Sequence, residues 1–273
     1  MWCWIRCLTD SIVFILGWFV LITVMMKIIF GPTRVQQLRD KVFAAVMNFI
    51  MKDSLRRSFE STKKELFSSL KAVKSAHLEL QKKNALNILE VGVGTGTNLE
   101  YYPAGSRLLC VDPNAAFEKY FRRECEQKAA HLDPDIQFVT ERGESMPSVA
   151  DSSVDVVVIT LVLCSVSHLD QMLREILRVL VPGGKFYFFE HIGDEPGTWR
   201  RRIQNALSDS GLWPLLFDGC VLNRDVEPVL TAVGFSAIEH HTVLVAENKA
   251  RPRSSPSVVV SPVNPILYGV ATK

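Results

Sequence analysis

The pattern of hydrophobic and polar positions divides the chain into three parts. Residues 12–30 are apolar except for Thr23 and Lys27. In residues 33–83 apolar residues recur at three- and four-residue steps with charges between them, which predicts an amphipathic helix. From residue 86 onward, short apolar segments alternate with segments of helical period. We therefore expect a hydrophobic segment (1–31), a basic helical neck (32–83) and a folded domain (84–273).

The folded domain is predicted to be α/β. Apolar strands that alternate with helices indicate a mostly parallel sheet, covered by helices on both faces. The predicted helices are AAFEKYFRRECEQKAAH and LDQMLREILRVL. The seven predicted strands are NILEVG, RLLCVD, IQFVTERG, VDVVVITLVL, KFYFFEH, FSAIEHHTVLVAE and PILYGVAT. Residues 248–264, which are polar and rich in proline, predict a flexible insertion before the last strand.

The first part, residues 1–31, is predicted to be a membrane anchor. Its 19-residue apolar run reaches roughly 28 Å as a helix, close to the thickness of a hydrocarbon core. The run ends in bulky residues, whereas a signal-peptide cleavage site requires small ones. Basic residues follow it at Lys27, Arg34, Arg39 and Lys41, which predicts that the folded domain faces the cytosol. A helix lying flat in one leaflet and a short hairpin are the alternatives.

The neck is basic, and the rest of the chain is not. Residues 27–83 contain 13 Lys/Arg and 5 Asp/Glu, although the formal net charge of the chain is only +2. This balance suits a helix lying on anionic membrane lipid, and the apolar stripe equally suits packing on the folded domain. Nucleic acid is not an expected partner, because no aromatic ladder or recognition motif accompanies the lysines.

Cysteine and histidine positions argue against a metal or disulfide framework. The six cysteines form no CxxC pair, which indicates reduced thiols in a cytosolic compartment. The histidines fall on different predicted elements, except for His240 and His241, which would point to opposite faces of one strand, so we expect no metal ligand set.

A glycine-rich turn follows the first predicted strand, in LNILEVGVGTGTNLE (86–100). Gly92, Gly94 and Gly96 have the spacing GxGxG, which differs from the dinucleotide pattern GxGxxG. Glu90, just before the turn, would repel a pyrophosphate but attract an ammonium group. Asp112 ends the next strand, where a carboxylate can accept hydrogen bonds from both ribose hydroxyls. These features favour a nucleoside with a cationic tail, and S-adenosylmethionine has this chemistry.

The motifs resemble a known family at this point. LEVGVGTGTN, VDPN, GESMPSVADSSVDVVVITLVL and REILRVLVPGGKFYFFEH are similar, in order, to the motifs of class I S-adenosylmethionine-dependent methyltransferases. Further segments, including LFSSL, FYFFEH, LLFDGC and the C-terminal LYG, resemble the membrane-associated thiol S-methyltransferases, the methyltransferase-like seven group. This narrower resemblance spans most of residues 60–273.

The resemblance implies a Rossmann-like fold and a set of cofactor contacts. Glu90 would hold the methionine amino group, and the backbone at Gly92, Gly94 and Gly96 would close on the ligand. The ribose would lie at the segment Asp112, Pro113 and Asn114, and the adenine would be bordered by Gly143 and Glu144. Arg142 stands where many relatives have Asp, so the contact to the adenine amino group is expected from backbone.

The methyl acceptor is expected at the carboxyl ends of the fourth and fifth strands. The candidate catalytic residues there are Cys164, Glu190 and His191. For Cys164 a small packed residue, and for His191 a structural histidine, remain alternatives. The candidate residues of an apolar substrate pocket are Trp199, Phe217, Asp218 and Cys220.

We therefore predict a thiol S-methyltransferase acting on hydrogen sulfide or small apolar thiols. The resemblance implies the cytosolic face of the endoplasmic reticulum membrane, with lipid droplets as a second candidate location. One alternative is a lipid-like oxygen or carbon acceptor, with Glu190 and His191 as the base. Another is a non-enzymatic membrane scaffold with the same fold.

Overall fold

The computed structural model describes residues 31–245 and 262–273. The predicted anchor and most of the predicted insertion lie outside these ranges. Within them, no helix combines the length and the apolar character needed to cross a bilayer.

A seven-stranded sheet forms the centre of the molecule, with the order β3-β2-β1-β4-β5-β7-β6. The strands are β1 (Asn87–Val91), β2 (Arg107–Val111), β3 (Gln137–Val139), β4 (Val154–Thr160), β5 (Leu180–His191), β6 (Ala237–Val243) and β7 (Ile266–Thr272). Neighbours among β1 to β5 are parallel, and β7 is antiparallel to both β5 and β6. The predicted Rossmann-like, mostly parallel sheet is confirmed.

Central position in the sheet explains the composition of β4. Its sequence VDVVVIT is buried at every residue except the last, as expected for a parallel strand covered on both faces. Two apolar clusters fill those faces. One contains Ile88, Val156 and Phe189, and the other contains Leu89, Val157 and Phe188.

Seven helices and three short 3₁₀ turns surround the sheet in the described residues. The helices are α1 (Pro32–Ser68), α2 (Leu78–Lys82), α3 (Glu118–Lys128), α4 (Leu169–Val179), α5 (Trp199–Asp209), α6 (Leu212–Leu216) and α7 (Glu227–Ala232). The 3₁₀ turns are Ser69–Ala72, Leu99–Tyr101 and Ala115–Phe117. Helices α5, α6 and α7, between β5 and β6, were not predicted from the sequence.

Helix α1, which forms most of the predicted neck, packs on the folded domain. Phe59 contacts Phe189 of β5 with ring centroids 5.1 Å apart, and Leu66 and Phe67 are also buried. The apolar stripe of the neck is divided between two environments. Val35 is buried, whereas the large apolar residues that the structure leaves exposed on α1 are Leu38, Val42, Val46 and Phe49.

Candidate active site

The turn after β1 depends on its glycines. Gly92, Gly94 and Gly96 have φ of 69°, 53° and 79°, in the left-handed region that other residues rarely adopt. A side chain at Gly92 would also collide with Val162 in the loop after β4. After this turn the chain forms the short 3₁₀ turn Leu99–Tyr101. The backbone of the turn therefore lies close to the ends of both β1 and β4.

Asp112 follows β2 and faces this turn. Its two carboxylate oxygens accept hydrogen bonds from the backbone N–H groups of Gly94 (2.9 Å) and Asn114 (2.9 Å). Burial raises the pKa of Asp112 to about 6. Each oxygen keeps a lone pair beyond its backbone bond, so the carboxylate can also accept from two ligand hydroxyls.

Glu90, near the end of β1, lies in a network that the sequence analysis missed. Its oxygens accept hydrogen bonds from Asn98 Nδ2 (2.7 Å) and Tyr102 Oη (2.6 Å). Lys63 of α1 reaches the same place and donates to Asn98 Oδ1 at 2.8 Å. Burial raises the pKa of Glu90 to about 7. Asn98 and Tyr102 follow the turn within a few residues, but nothing in the charged sequence around Lys63 distinguishes it.

Gly143 and Glu144 lie in the loop after β3. A Cβ at Gly143 would come within 2.5 Å of Met172 Sδ and 2.8 Å of Val91 Cγ1, so a larger residue here would require the buried Met172 side chain or this loop to shift. Glu144 accepts hydrogen bonds from Ser167 N (2.8 Å) and Arg142 Nη2 (3.1 Å). Burial by itself raises the pKa of Glu144, but these hydrogen bonds outweigh it and the pKa is lowered. Glu144 is therefore buried and connects the loop after β3 to the loop after β4.

A cavity of about 710 Å³ joins these groups, a size typical of sites for drug-sized ligands. The cofactor-side residues that line it include Glu90, Gly92, Gly94, Asp112, Pro113, Asn114, Gly143 and Glu144. Further lining comes from the loop after β4 (Leu161, Val162, Ser165, Val166 and Ser167), and from Asp218 and Gly219. Helix α1 supplies Gln36, Arg39, Asp40, Phe43, Met47 and Met51.

Helix α1 is held against the cavity by contacts along its N-terminal half. Asn114 Nδ2 donates to the backbone carbonyl of Asp40 at 3.0 Å. Arg39 pairs with Asp218 at 3.5 Å, and the rings of Phe43 and Phe117 meet edge to face with centroids 5.9 Å apart. The predicted neck is thus a wall of the candidate site.

The three predicted catalytic residues do not line this cavity. Glu190 is buried and accepts from Val162 N at 2.8 Å, so the cavity wall separates it from the space. Burial raises the pKa of Glu190 to about 8. Cys164 and His191 are buried beside Cys220, and a hydrogen bond with Cys220, together with burial, raises the pKa of Cys164 well above its usual range. The expectation that these groups face the acceptor is corrected accordingly.

Only one of the four residues predicted to form the substrate pocket lines the cavity. Asp218 lines the cavity. Trp199 is 61% exposed on α5, and Phe217 stacks on Trp213 with centroids 4.1 Å apart, so neither contributes to this wall. Cys220 lies behind it, with Sγ 3.0 Å from His191 Nε2. These positions depend on how α5 and α6 fold over the end of the sheet, which sequence spacing does not encode.

Comparison with known proteins agrees with the resemblance found in the sequence motifs. A family model described as a methyltransferase domain matches residues 89–188. Human thiol S-methyltransferase TMT1A is 45% identical over 179 residues, which cover 66% of this chain and 69% of that protein. Human thiol S-methyltransferase TMT1B is 37% identical over 217 residues, covering 80% of each. The chain belongs to the class I S-adenosylmethionine-dependent methyltransferases.

The fold of this methyltransferase also matches solved structures. A SAM-dependent methyltransferase from Thermotoga maritima superposes with a TM-score of 0.52, covering 85% of this chain and 99% of the other at 13% identity. At that identity the match bears on the fold alone.

The residues of the cavity fit S-adenosylmethionine, the cofactor of this methyltransferase. Asp112 keeps free lone pairs for the ribose, Glu90 offers a carboxylate to the amino group, and the glycine turn leaves room beside its backbone. The bound cofactor supplies a methyl group on a sulfonium. The task of the chain is then to exclude water and to align the acceptor in line with that methyl group, and alignment alone can supply much of the rate.

Proposed function

We propose that this methyltransferase transfers the methyl group to the sulfur of hydrogen sulfide or a small apolar thiol. The observation that carries the proposal is the lining that α1 and the loop after β4 give to the cavity. Their apolar side chains there are Phe43, Met47, Met51, Leu161, Val162 and Val166. Among the described residues, no histidine, lysine, cysteine or tyrosine lines the cavity, and the carboxylates that α1 and the segment after α6 supply are Asp40 and Asp218, the second of which pairs with Arg39.

Such a lining suits an acceptor that ionises without a strong protein base. A thiol is far more acidic than an alcohol, with a pKa of about 8.5 in cysteine, and its thiolate is strongly nucleophilic, whereas an alcohol stays protonated. An oxygen or carbon acceptor would need a base, and the candidate pair Glu190 and His191 lies behind the wall. The two human relatives are named thiol S-methyltransferases, which supports the same choice.

Competition between a small apolar thiol and its alcohol analogue tests this proposal. Full-length protein in detergent is given labelled S-adenosylmethionine and both acceptors across a pH series. We expect methyl transfer to the thiol, at a rate that rises as the thiol ionises, and none to the alcohol. Equal methylation of the alcohol would refute the proposal, as would an inert thiol in a protein that binds S-adenosylmethionine.

We also propose that the protein works at the cytosolic face of the endoplasmic reticulum membrane, with lipid droplets as a second location. The apolar run 12–30 supports an anchor. It directly precedes α1, which exposes Leu38, Val42, Val46 and Phe49, and this arrangement suits contact with membrane lipid. An apolar thiol dissolved in lipid would then be concentrated near the cavity.

Carbonate extraction followed by protease protection tests the location. We expect the protein to stay in the membrane pellet and its folded domain to be digested in intact microsomes. Release by carbonate, or protection of the folded domain, would contradict the proposal. Replacing Leu38 and Phe49 by Ser, with residues 1–31 intact, separates the contribution of α1 from that of the anchor.

A further inference from the structure

Two cysteines and a histidine from distant parts of the chain meet behind the cavity wall. Cys164 lies in the loop after β4, His191 ends β5, and Cys220 follows α6. Their donor atoms all lie within 4.8 Å of one another, and His191 Nε2 is 3.0 Å from Cys220 Sγ. The three residues are 2%, 2% and 8% exposed. None of the three was assigned to the cavity lining above, so the cofactor site does not account for their convergence.

We propose that Cys164, His191 and Cys220 form a metal site that binds Zn²⁺ through two thiolates and one imidazole. Sulfur and imidazole are the donors that zinc prefers, and three protein ligands leave a fourth position for a small ligand. Tetrahedral bonds of about 2.3 Å to sulfur and 2.0 Å to nitrogen put neighbouring donors roughly 3.5 Å apart. The observed separations bracket that value, so small side-chain rotations complete the site.

Charge and hydrogen bonding favour a divalent cation at this place. Two thiolates neutralise one divalent cation, which matters because an uncompensated charge is costly in a buried place. Binding releases the two thiol protons to solvent. The indole N–H of Trp213 points at Cys220 Sγ at 3.3 Å. Because indole nitrogen can only donate, this contact supports a thiolate at Cys220, as groups around metal ligands commonly do.

The metal would join the two loops that form the acceptor side of the cavity. Cys164 is adjacent to Ser165, and Cys220 to Gly219, and both of those neighbours line the cavity. The loops already share a backbone hydrogen bond from Val221 N to Cys164 O (3.0 Å). Zinc would fix their separation more firmly, whichever acceptor the enzyme uses.

Metal analysis and cobalt substitution of the full-length protein in detergent test the proposal. We expect about one zinc per chain, and Co²⁺ should give the visible bands of a tetrahedral site with thiolate charge transfer. Cys164→Ser and Cys220→Ser should each abolish both signals. Cys125→Ser, in a half-buried cysteine on α3, is the matched control, and Cys3→Ser/Cys7→Ser controls for the N-terminal cysteines. Both controls should retain the signals.

The fold of each variant is checked by circular dichroism and by S-adenosylmethionine binding. Metal-free wild-type protein that does not take up added Zn²⁺ or Co²⁺ would overturn the proposal, as would a cobalt spectrum unchanged in a folded Cys164→Ser variant. If the serine variants do not fold, X-ray absorption of the zinc-loaded wild type decides. Two sulfur neighbours and a histidine nitrogen support the site, and an oxygen-only shell refutes it.

Discussion

The cofactor end and the acceptor end of the cavity are built in different ways. At the cofactor end, Asp112 and Glu90 are held by donors close in sequence, such as Asn114 and Asn98. The acceptor end is assembled from α1, the loop after β4 and the segment Asp218–Gly219, which are far apart in the chain. Local motifs thus determine most of the first region, where Lys63 is a contribution from the remote α1, and the packing of remote elements determines the second.

The two regions also differ in the forces that act there. The cofactor end buries carboxylates, whose loss leaves charged or polar partners unsatisfied and is therefore costly. The acceptor end consists mainly of apolar contacts, and the Arg39–Asp218 pair at its edge is partly exposed. Substitutions should therefore have graded effects, large at the first end and small at the second.

The largest effect is expected for Asp112→Ala. Loss of two charge-assisted hydrogen bonds to the ribose, at about 1.5–3 kcal/mol each, should weaken S-adenosylmethionine binding by at least about 100-fold. Calorimetric titration measures this change. Asp209→Ala, at the exposed end of α5, is the control and should bind normally. Unchanged affinity in Asp112→Ala would remove the basis for placing the ribose there.

An intermediate effect is expected from pH. Binding of a cationic amino group favours ionised Glu90, whose pKa is raised to about 7 by burial, and the ribose requires ionised Asp112, with a pKa raised to about 6. S-adenosylmethionine affinity should therefore rise with pH up to about 7, by at most about tenfold per pH unit for each group. Titrations in buffers of different ionisation enthalpy should show proton release.

The raised pKa of Glu90 predicts the opposite pH trend for the stability of the ligand-free protein. Between pH 4.5 and about 7 the folded state keeps Glu90 protonated while the unfolded state loses the proton. The contribution of Glu90 to the free energy of unfolding should therefore fall as pH rises through this window. Glu90→Gln should flatten both trends between pH 6 and 7. Proton uptake on binding would contradict this account.

The smallest effect is expected for Arg39→Ala at the acceptor end. Partly exposed ion pairs contribute below about 1 kcal/mol, so the acceptor KM should rise about two- to threefold, with unchanged affinity for S-adenosylmethionine. Arg34→Ala, an exposed arginine of the same helix outside the cavity, is the control. A large loss of cofactor affinity in Arg39→Ala would mean that α1 contacts the cofactor, and the contrast between the two ends would disappear.

The contrast between the two ends of the cavity explains which parts of the site could be predicted from the sequence. The succession of the seven strands and the position of Asp112 followed from strand patterns and from a local motif. The role of Lys63 could not be predicted, because its contact with Asn98 requires α1 to fold across the sheet. Trp199 was misplaced because a tryptophan is typical of an apolar pocket wall, although its neighbours Thr198 and Arg200 are polar, and α5 turns it to the solvent. The nearness of Cys164 and His191 followed from the neighbouring ends of two parallel strands, whereas their contact with Cys220 depends on tertiary structure.

The position of α1 limits where the chain can be shortened from its N-terminus without opening the cavity. The family model begins at residue 89, which suggests a compact fragment starting near residue 84. Such a fragment would keep the glycine turn and Asp112 but lose the Lys63 contact next to Glu90 and the whole wall from Gln36 to Met51. Its binding site would open to solvent along one side. A fragment that keeps the cavity closed should therefore begin near Pro32, well before the segment that defines its family.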